Sequence, residues 1–309
     1  MADTNKMNPT AKRPWRMFAP LAAVIVLFGL WSVYWHWANS AVQTHVTGER
    51  AQLEAQGFSL ACASESWGGY PFRFEFTCTN PAIKFPGGQT VRSHALLAVA
   101  QAYNPMHIIA LIDGPSEVTL PGNEAHVLTH GRAVISVVAQ GDGAAQISAE
   151  IPDFNGAGVF TASNIQAHAR PAAENANDVA VTVEGAAYTA PGKPPLAVDR
   201  AQLLGTLTAN GELTIGDLQF NRNGLKLWGK GMVELDAQHR IEGQIDAQTN
   251  DLGQLLAVLD PHMEMPEQDR ATLKAVLGLL GKEARAGLVA RDGEFYIGPL
   301  KVGELLPLY

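Results

Sequence analysis

SWGGYPFRFEFTCT, residues 66–79, decides the fold class. Phe72, Phe74, Phe76 and Cys78 alternate with Arg73, Glu75 and Thr77. That is the two-residue period of a strand with one apolar face. Upstream, Phe58, Leu60 and Cys62 alternate with Ser59 and Ala61, and Gly69-Tyr70 lies between the two runs. The pattern predicts a β-hairpin. Cys62 and Cys78 are the only cysteines in 309 residues and are equidistant from Tyr70. A hairpin turning there sets them opposite each other, at the ~4.5–5.5 Å Cα separation that a disulfide accepts. Two buried, unpaired thiols are the alternative; an oxidising compartment favours the bond. The sixteen-residue spacing and the lack of further cysteines exclude a CxxC redox motif or a cysteine metal site.

The compartment follows from the segment before the hairpin. FAPLAAVIVLFGLWSVYWHW, residues 18–37, contains no Asp, Glu, Lys or Arg. Twenty helical residues span ~30 Å, the thickness of bilayer hydrocarbon. Lys12, Arg13 and Arg16 precede it, and the next basic residue is Arg50. By the positive-inside rule residues 1–17 stay in the cytoplasm, residues 18–37 cross the inner membrane once, and the rest enters the periplasm. Trp31, Tyr34, Trp35 and Trp37 read as an interfacial aromatic belt. A signal peptide cleaved after the small residues Ala38 and Ser40 is the rival, but the apolar run exceeds the usual ~7–15 residues. A permanent signal anchor is expected. Residues 38–56 continue as a juxtamembrane helix, with Val42, Val46, Glu49 and Leu53 at helical spacing and Gly57 as a stop. Residues 57–309 form the exported body, and the proline-rich APGKPPLA at 190–197 marks its one candidate subdivision.

Charge narrows the partners. Charged residues make up 17% of the chain, below the ~25% of average soluble domains. Beyond residue 40 there are 18 basic and 29 acidic side chains, a net of −11. Such a body repels phosphate backbones, which argues against nucleic acid as a partner.

Past the hairpin, short apolar runs recur between Gly, Pro, Asn and Asp with no helices between them, which predicts antiparallel pairing. A meander runs GELTIGDLQF, NRNG, LKLWGKGMVELD, AQH, RIEGQIDAQ. Its Leu213, Ile215, Leu225, Leu227, Trp228 and Val233 supply an apolar face, either an ordinary core or a groove for a lipid. Two helices follow. Asn250 is read as the N-cap of the first, with Leu252, Leu255, Leu256 and Leu259 as its stripe. Pro266 opens the second, Leu273, Val276, Leu277 and Leu280 form its stripe, and Gly281 ends it. The expected fold is mainly β: an N-terminal transmembrane helix, a large antiparallel sheet, and a helical hairpin near the C-terminus. About sixteen strands at ~4.8 Å give at most ~75 Å of sheet, short for bridging two membranes.

Chemistry is poorly represented. The chain has no G-x-S-x-G elbow, P-loop or GxGxxG. His126 and His130 are four apart, but in a β context and without a third ligand. Asp142, Asp153, Asp236 and Asp246 have no spacing that brings two together for acid–base work. No catalytic residue, metal or cofactor is expected. The reading is a non-catalytic envelope module that binds lipid or another envelope protein. The alternatives are a periplasmic hydrolase with a carboxylate-based site and a purely structural scaffold.

The anchor, the GYPFRFEFTC hairpin with the earlier Cys62, the meander through GMVELDAQHRIEGQIDAQ and the closing DGEFYIGPLKVGELLPLY resemble a bacterial family, domain of unknown function 2125, found mainly in alphaproteobacteria. The resemblance spans roughly residues 20–309. Gly69, Tyr70, Pro71, Phe72, Arg73, Cys78, Gly298 and Pro299 carry it. It implies an anchored β-rich protein of Gram-negative bacteria and supplies no catalytic residue. The layout also resembles, more loosely, the AsmA-type envelope proteins, whose sheets form open grooves linked to lipid handling; likeness of fold alone does not carry function.

Overall fold

The computed structural model describes residues 15–122, 125–140, 145–172, 175–262, 267–278, 281, 283–298 and 300–307. Lys12, Arg13, Asp142, Pro266, Leu280 and Pro299 lie outside the described residues, as do the side chains of Arg16, Leu273, Val276 and Leu277. One uninterrupted helix, α1 (Trp15–Ala55), contains both the apolar segment and the juxtamembrane stretch. It ends as expected at Gly57, whose φ of +90° lies in the left-handed region.

Eighteen strands follow among the described residues: β1 (Ser59–Ala61), β2 (Ser64–Gly68), β3 (Arg73–Thr79), β4 (Ala82–Lys84), β5 (Thr90–Gln101), β6 (Asn104–Thr119), β7 (Ala125–Thr129), β8 (Ala133–Ala139), β9 (Ala145–Gly156), β10 (Phe160–Pro171), β11 (Ala176–Tyr188), β12 (Leu196–Thr208), β13 (Leu213–Arg222), β14 (Leu225–Leu235), β15 (Ile241–Thr249), β16 (Ala284–Arg291), β17 (Glu294–Ile297) and β18 (Leu300–Glu304). All pairings among the described strands are antiparallel, as the lack of interleaved helices predicts. β3 and β4 share one side of β5; β2 pairs with β3, and β1 with β4. β7 and β8 are both held between β6 and β9. From β9 to β18 each strand pairs with the next in sequence. Among the described residues β18 does not pair with β1 or β2, so the sheet is open.

This sheet does not close on itself as a sandwich. The chain exposes 20136 Å², whereas a compact monomer of 33.0 kDa exposes ~12,500 Å². The bare part of α1 and the open sheet both contribute to the excess. Beyond the first hairpin the buried apolar residues are mainly alanines; among the described residues the one buried apolar cluster, Trp35, Ala38, Phe74 and Ala102, lies where α1 meets β3.

Two helices interrupt the strands between β15 and β16: α2 (Leu252–Leu259) and α3 (Glu267–Gly278). The N-cap of α2 is Asp251, one residue later than the sequence reading places it; its carboxylate accepts the Gln254 N–H at 2.9 Å. Asn250 instead ties down β14, accepting from the Lys226 N–H and donating to Gly224 O. Asp251→Ala should therefore cost about 1 kcal/mol, measured as a lower urea midpoint with an unchanged slope. Leu255, Val258 and Leu259 of α2 face Phe220, Leu225 and Leu227 across an apolar cleft of about 190 Å³.

Candidate functional site

Residues directly opposite in an antiparallel pair project to the same face. The registers therefore carry one face from strand to strand. Starting at β3, Phe76 stands beside Ala98, then Ala110, Ile135, Ala149 and Ala167. The same row continues through Val181, Leu203, Leu218, Gly229, Ala247 and Ala286. All twelve are apolar. The row on one side of it runs Leu96, Ile112, Ala133 at its start; further on, the flanking positions hold Ile165, Val183, Ala201, Phe220 and Leu227. The row on the other side holds Ala100, Ile108, Val137, Ile147, Ala169, Val179, Gly205, Ile215, Gly231, Ile245 and Leu288.

The reverse face differs. From β9 onward it presents Ser148, Glu150, Gln166, His168, Asp178, Thr182, Gln202, Gln219, Lys230, Asp246 and Gln248. Over β5, β6 and β8 it is apolar too, with Leu97, Val99, Ile109, Leu111, Val134 and Val138, and further on it holds single apolar residues such as Leu204, Trp228 and Met232. Twelve strands at ~4.8 Å and three side-chain rows make an apolar face on the order of 800 Å². The largest apolar patch on a typical monomer is ~300–600 Å². Among the described elements, α1 covers it at β2 and β3, and α2 covers one end of β12–β14. Its side chains are otherwise half-buried by one another.

Of the six residues read from the meander, five belong to this face: Leu213 opposite Val233, Ile215, Leu225 and Leu227. Ile215 and Leu225 are buried. Trp228 follows Leu227 in the same strand and so projects from the reverse face, beside Asp217, Gln219, Asn221 and Lys226. The face extends eight strands further towards the N-terminus than the meander alone indicates, because β3, β5, β6 and β8 to β12 carry the same alternation in register.

The opening hairpin meets α1 at the first edge of this face. Trp35, only 4% exposed, lies against the Phe74 ring at 5.9 Å and the Tyr70 ring at 5.3 Å. Its indole N–H donates to Arg73 O at 2.9 Å. The Trp31 indole donates to Pro71 O at 2.8 Å, and the Tyr34 hydroxyl to Ala102 O at 3.2 Å. Ser32 and Tyr70 join through their hydroxyls at 2.7 Å. The aromatic belt read from sequence is thus mostly a docking surface for the hairpin; Trp37 alone of the four points away, 69% exposed. Further along α1, Arg50 pairs with Glu65 at 2.9 Å. Their mutual hydrogen bond lowers the Glu65 carboxyl and raises the Arg50 guanidinium.

Cys62 and Cys78 form the expected disulfide, with Cα atoms 5.4 Å apart. The register beneath it differs from the expected one. Cys78 lies directly opposite Glu65, and Cys62 reaches it from beyond the end of β2. The reason is a wider turn over residues 69–72, closed by Arg73 N–H donating to Gly69 O. Gly69 has φ +99°, and a Cβ there would lie 2.5 Å from Arg73 O, so only glycine fits.

The residues weighed for chemistry are dispersed. Asp153 sits at a left-handed position in β9 with φ +50°. Asp236 closes the β14–β15 turn, accepting the Arg240 and Gln238 N–H groups and the Arg240 guanidinium, which hold its carboxyl below the usual range. Asp246 stands opposite Lys230. His126 is exposed on β7, while His130 bonds Ser116 at 2.8 Å. That serine–histidine contact recurs at His107–Ser136 and at His168–Ser148, both 2.9 Å, which marks it as a cross-strand pair of the sheet rather than an activated nucleophile. Among the described residues no group of three His, Cys, Asp or Glu could hold a metal.

No curated protein and no solved structure matches the chain, so the AsmA-type likeness has no match behind it. The family model described as "Uncharacterized protein conserved in bacteria (DUF2125)" matches residues 35–305. That span takes in the docking tryptophan Trp35, the disulfide and β1 to β18, and the chain belongs to the DUF2125 family.

Proposed function

We propose that this protein is a non-catalytic lipid-binding module of the cell envelope, tethered to the cytoplasmic membrane by α1 with its sheet in the periplasm. The observation that carries this reading is the unbroken apolar face. Twelve strands with an apolar face and, among the described residues, no second sheet over it call for an apolar occupant, and acyl chains fit a face that is long, narrow and free of charge. The tether supports it, because α1 places the first strands of that face beside a lipid reservoir. The disulfide suits an oxidising compartment. Another envelope protein is the second candidate occupant.

Photo-crosslinking in cells tests this. A photoreactive residue at Val181 or Leu203, on the apolar face, should capture phospholipid. The same residue at Thr182 or Gln202, on the reverse face of the same two strands, should not. Capture of protein and no lipid at Val181 and Leu203 would replace the lipid reading with a protein scaffold.

A further inference from the structure

The level at which the hairpin meets α1 says more than that the two are in contact. Tyr70 touches Phe28 at 6.3 Å, Trp35 at 5.3 Å and His36 at 5.8 Å, counted between ring centroids. Phe72 lies 6.2 Å from Trp31. The turn therefore stands beside residues 28–36 of the helix, inside the stretch 18–37 that contains no charged residue. If the turn were in water, the hydrocarbon would have to end before Phe28. Only Phe18 to Leu27 would then remain to span it, ~15 Å of helix at 1.5 Å per residue against a core of ~30 Å. A mismatch of that size accumulates a fraction of a kcal/mol for each ångström.

We infer that the Tyr70–Phe72 turn and the neighbouring β5–β6 turn bearing Tyr103 are sunk in the leaflet on the sheet side of the membrane, so that the β-domain is seated in the bilayer rather than held above it. This rests on the reading of α1 as a retained membrane anchor.

The polar groups agree. Irregular backbone is tolerated at membrane depth only where its donors and acceptors are satisfied by protein. Here Pro71 O, Arg73 O and Ala102 O each accept from an α1 side chain, and Phe72 O accepts from the Ala102 N–H. The Tyr70 hydroxyl is engaged by Ser32. Of the outward side chains, Phe72 is 60% exposed, Tyr103 68% and Met106 49%; the polar ones among them, Gln101 and Asn104, are uncharged. No Asp, Glu, Lys or Arg occurs in residues 68–72 or 101–108. The nearest charge, Arg73, is paired with Glu75 at 3.0 Å and is long enough to reach headgroups.

The test uses the full chain in vesicles of phosphatidylethanolamine and phosphatidylglycerol, with the native disulfide left oxidised. A nitroxide is attached to Phe72→Cys, Tyr103→Cys or, at the far end of the first strands, Lys84→Cys. Power saturation compares collisions with oxygen, which concentrates in hydrocarbon, and with a water-soluble nickel chelate. Oxygen should dominate at positions 72 and 103 and nickel at 84. Nickel dominance at all three, in a chain that resists alkaline extraction, would overturn the inference and leave the anchor standing. Release of the chain by alkaline washing would remove the anchor reading and the inference with it.

Discussion

Replacing Trp35 by alanine should lower the unfolding free energy by about 3–5 kcal/mol, the range for deleting a large buried aromatic side chain. Trp35 is 4% exposed in a chain whose buried apolar residues are few, so little else can compensate. Its loss removes a ring between Phe74 and Tyr70 and leaves Arg73 O without its indole donor. Trp37, two residues on and 69% exposed, provides the control, and its alanine variant should stay within ~0.5 kcal/mol of the parent. Denaturant unfolding in mild detergent, followed by the strand signal in circular dichroism, reads both. Trp35→Ala should also open residues 57–66 to protease before the rest of the sheet. Equal behaviour of the two variants would mean that α1 is not docked on the hairpin.

The second large effect is that of the disulfide. Neither Cys62 nor Cys78 should react with a maleimide until the chain is reduced. The double change Cys62→Ala with Cys78→Ala should cost about 2–4 kcal/mol, as expected for a cross-link closing a loop of this length. Cys78 is fully buried at 0% exposure, so Cys78→Ser should cost more than the double variant by leaving a hydroxyl among apolar neighbours. Rapid labelling of both thiols in the unreduced chain would defeat this.

Much of the architecture is legible in the sequence because two periods dominate it. The unbroken apolar stretch before residue 38 and the alternation after residue 57 follow from short-range geometry, and both appear where they are expected. What is not legible depends on partners distant in sequence. The indoles of Trp31 and Trp35 look like interfacial anchors until Pro71 O and Arg73 O are placed beside them. Alternation within β13 and β14 marks Leu213, Ile215 and Leu227 as apolar positions. Only the register, which shifts between Ile215 and Leu218, aligns them with Leu203, Val181 and Ile135 into one surface. Trp228 is the instructive case: its neighbour Leu227 is on the face, and a strand cannot point both the same way. The one-residue difference at the α2 cap has a local cause, since Asn250 and Asp251 can both cap a helix and the strand needs Asn250 first.

Pairing each strand with its predecessor has a consequence for how the molecule comes into being. Loop closures stay short from β9 to β15 and from β16 to β18, with the α2–α3 insertion as the long one between, so nearly every added strand finds its partner already in place at little entropic cost. Assembly can then proceed vectorially, keeping pace with a chain that emerges N-terminus first. The hairpin clamped to α1 and locked by Cys62–Cys78 serves as the starting template. At every moment the growing edge is a single strand awaiting the next one, and that edge is where a delay would invite pairing with a foreign strand.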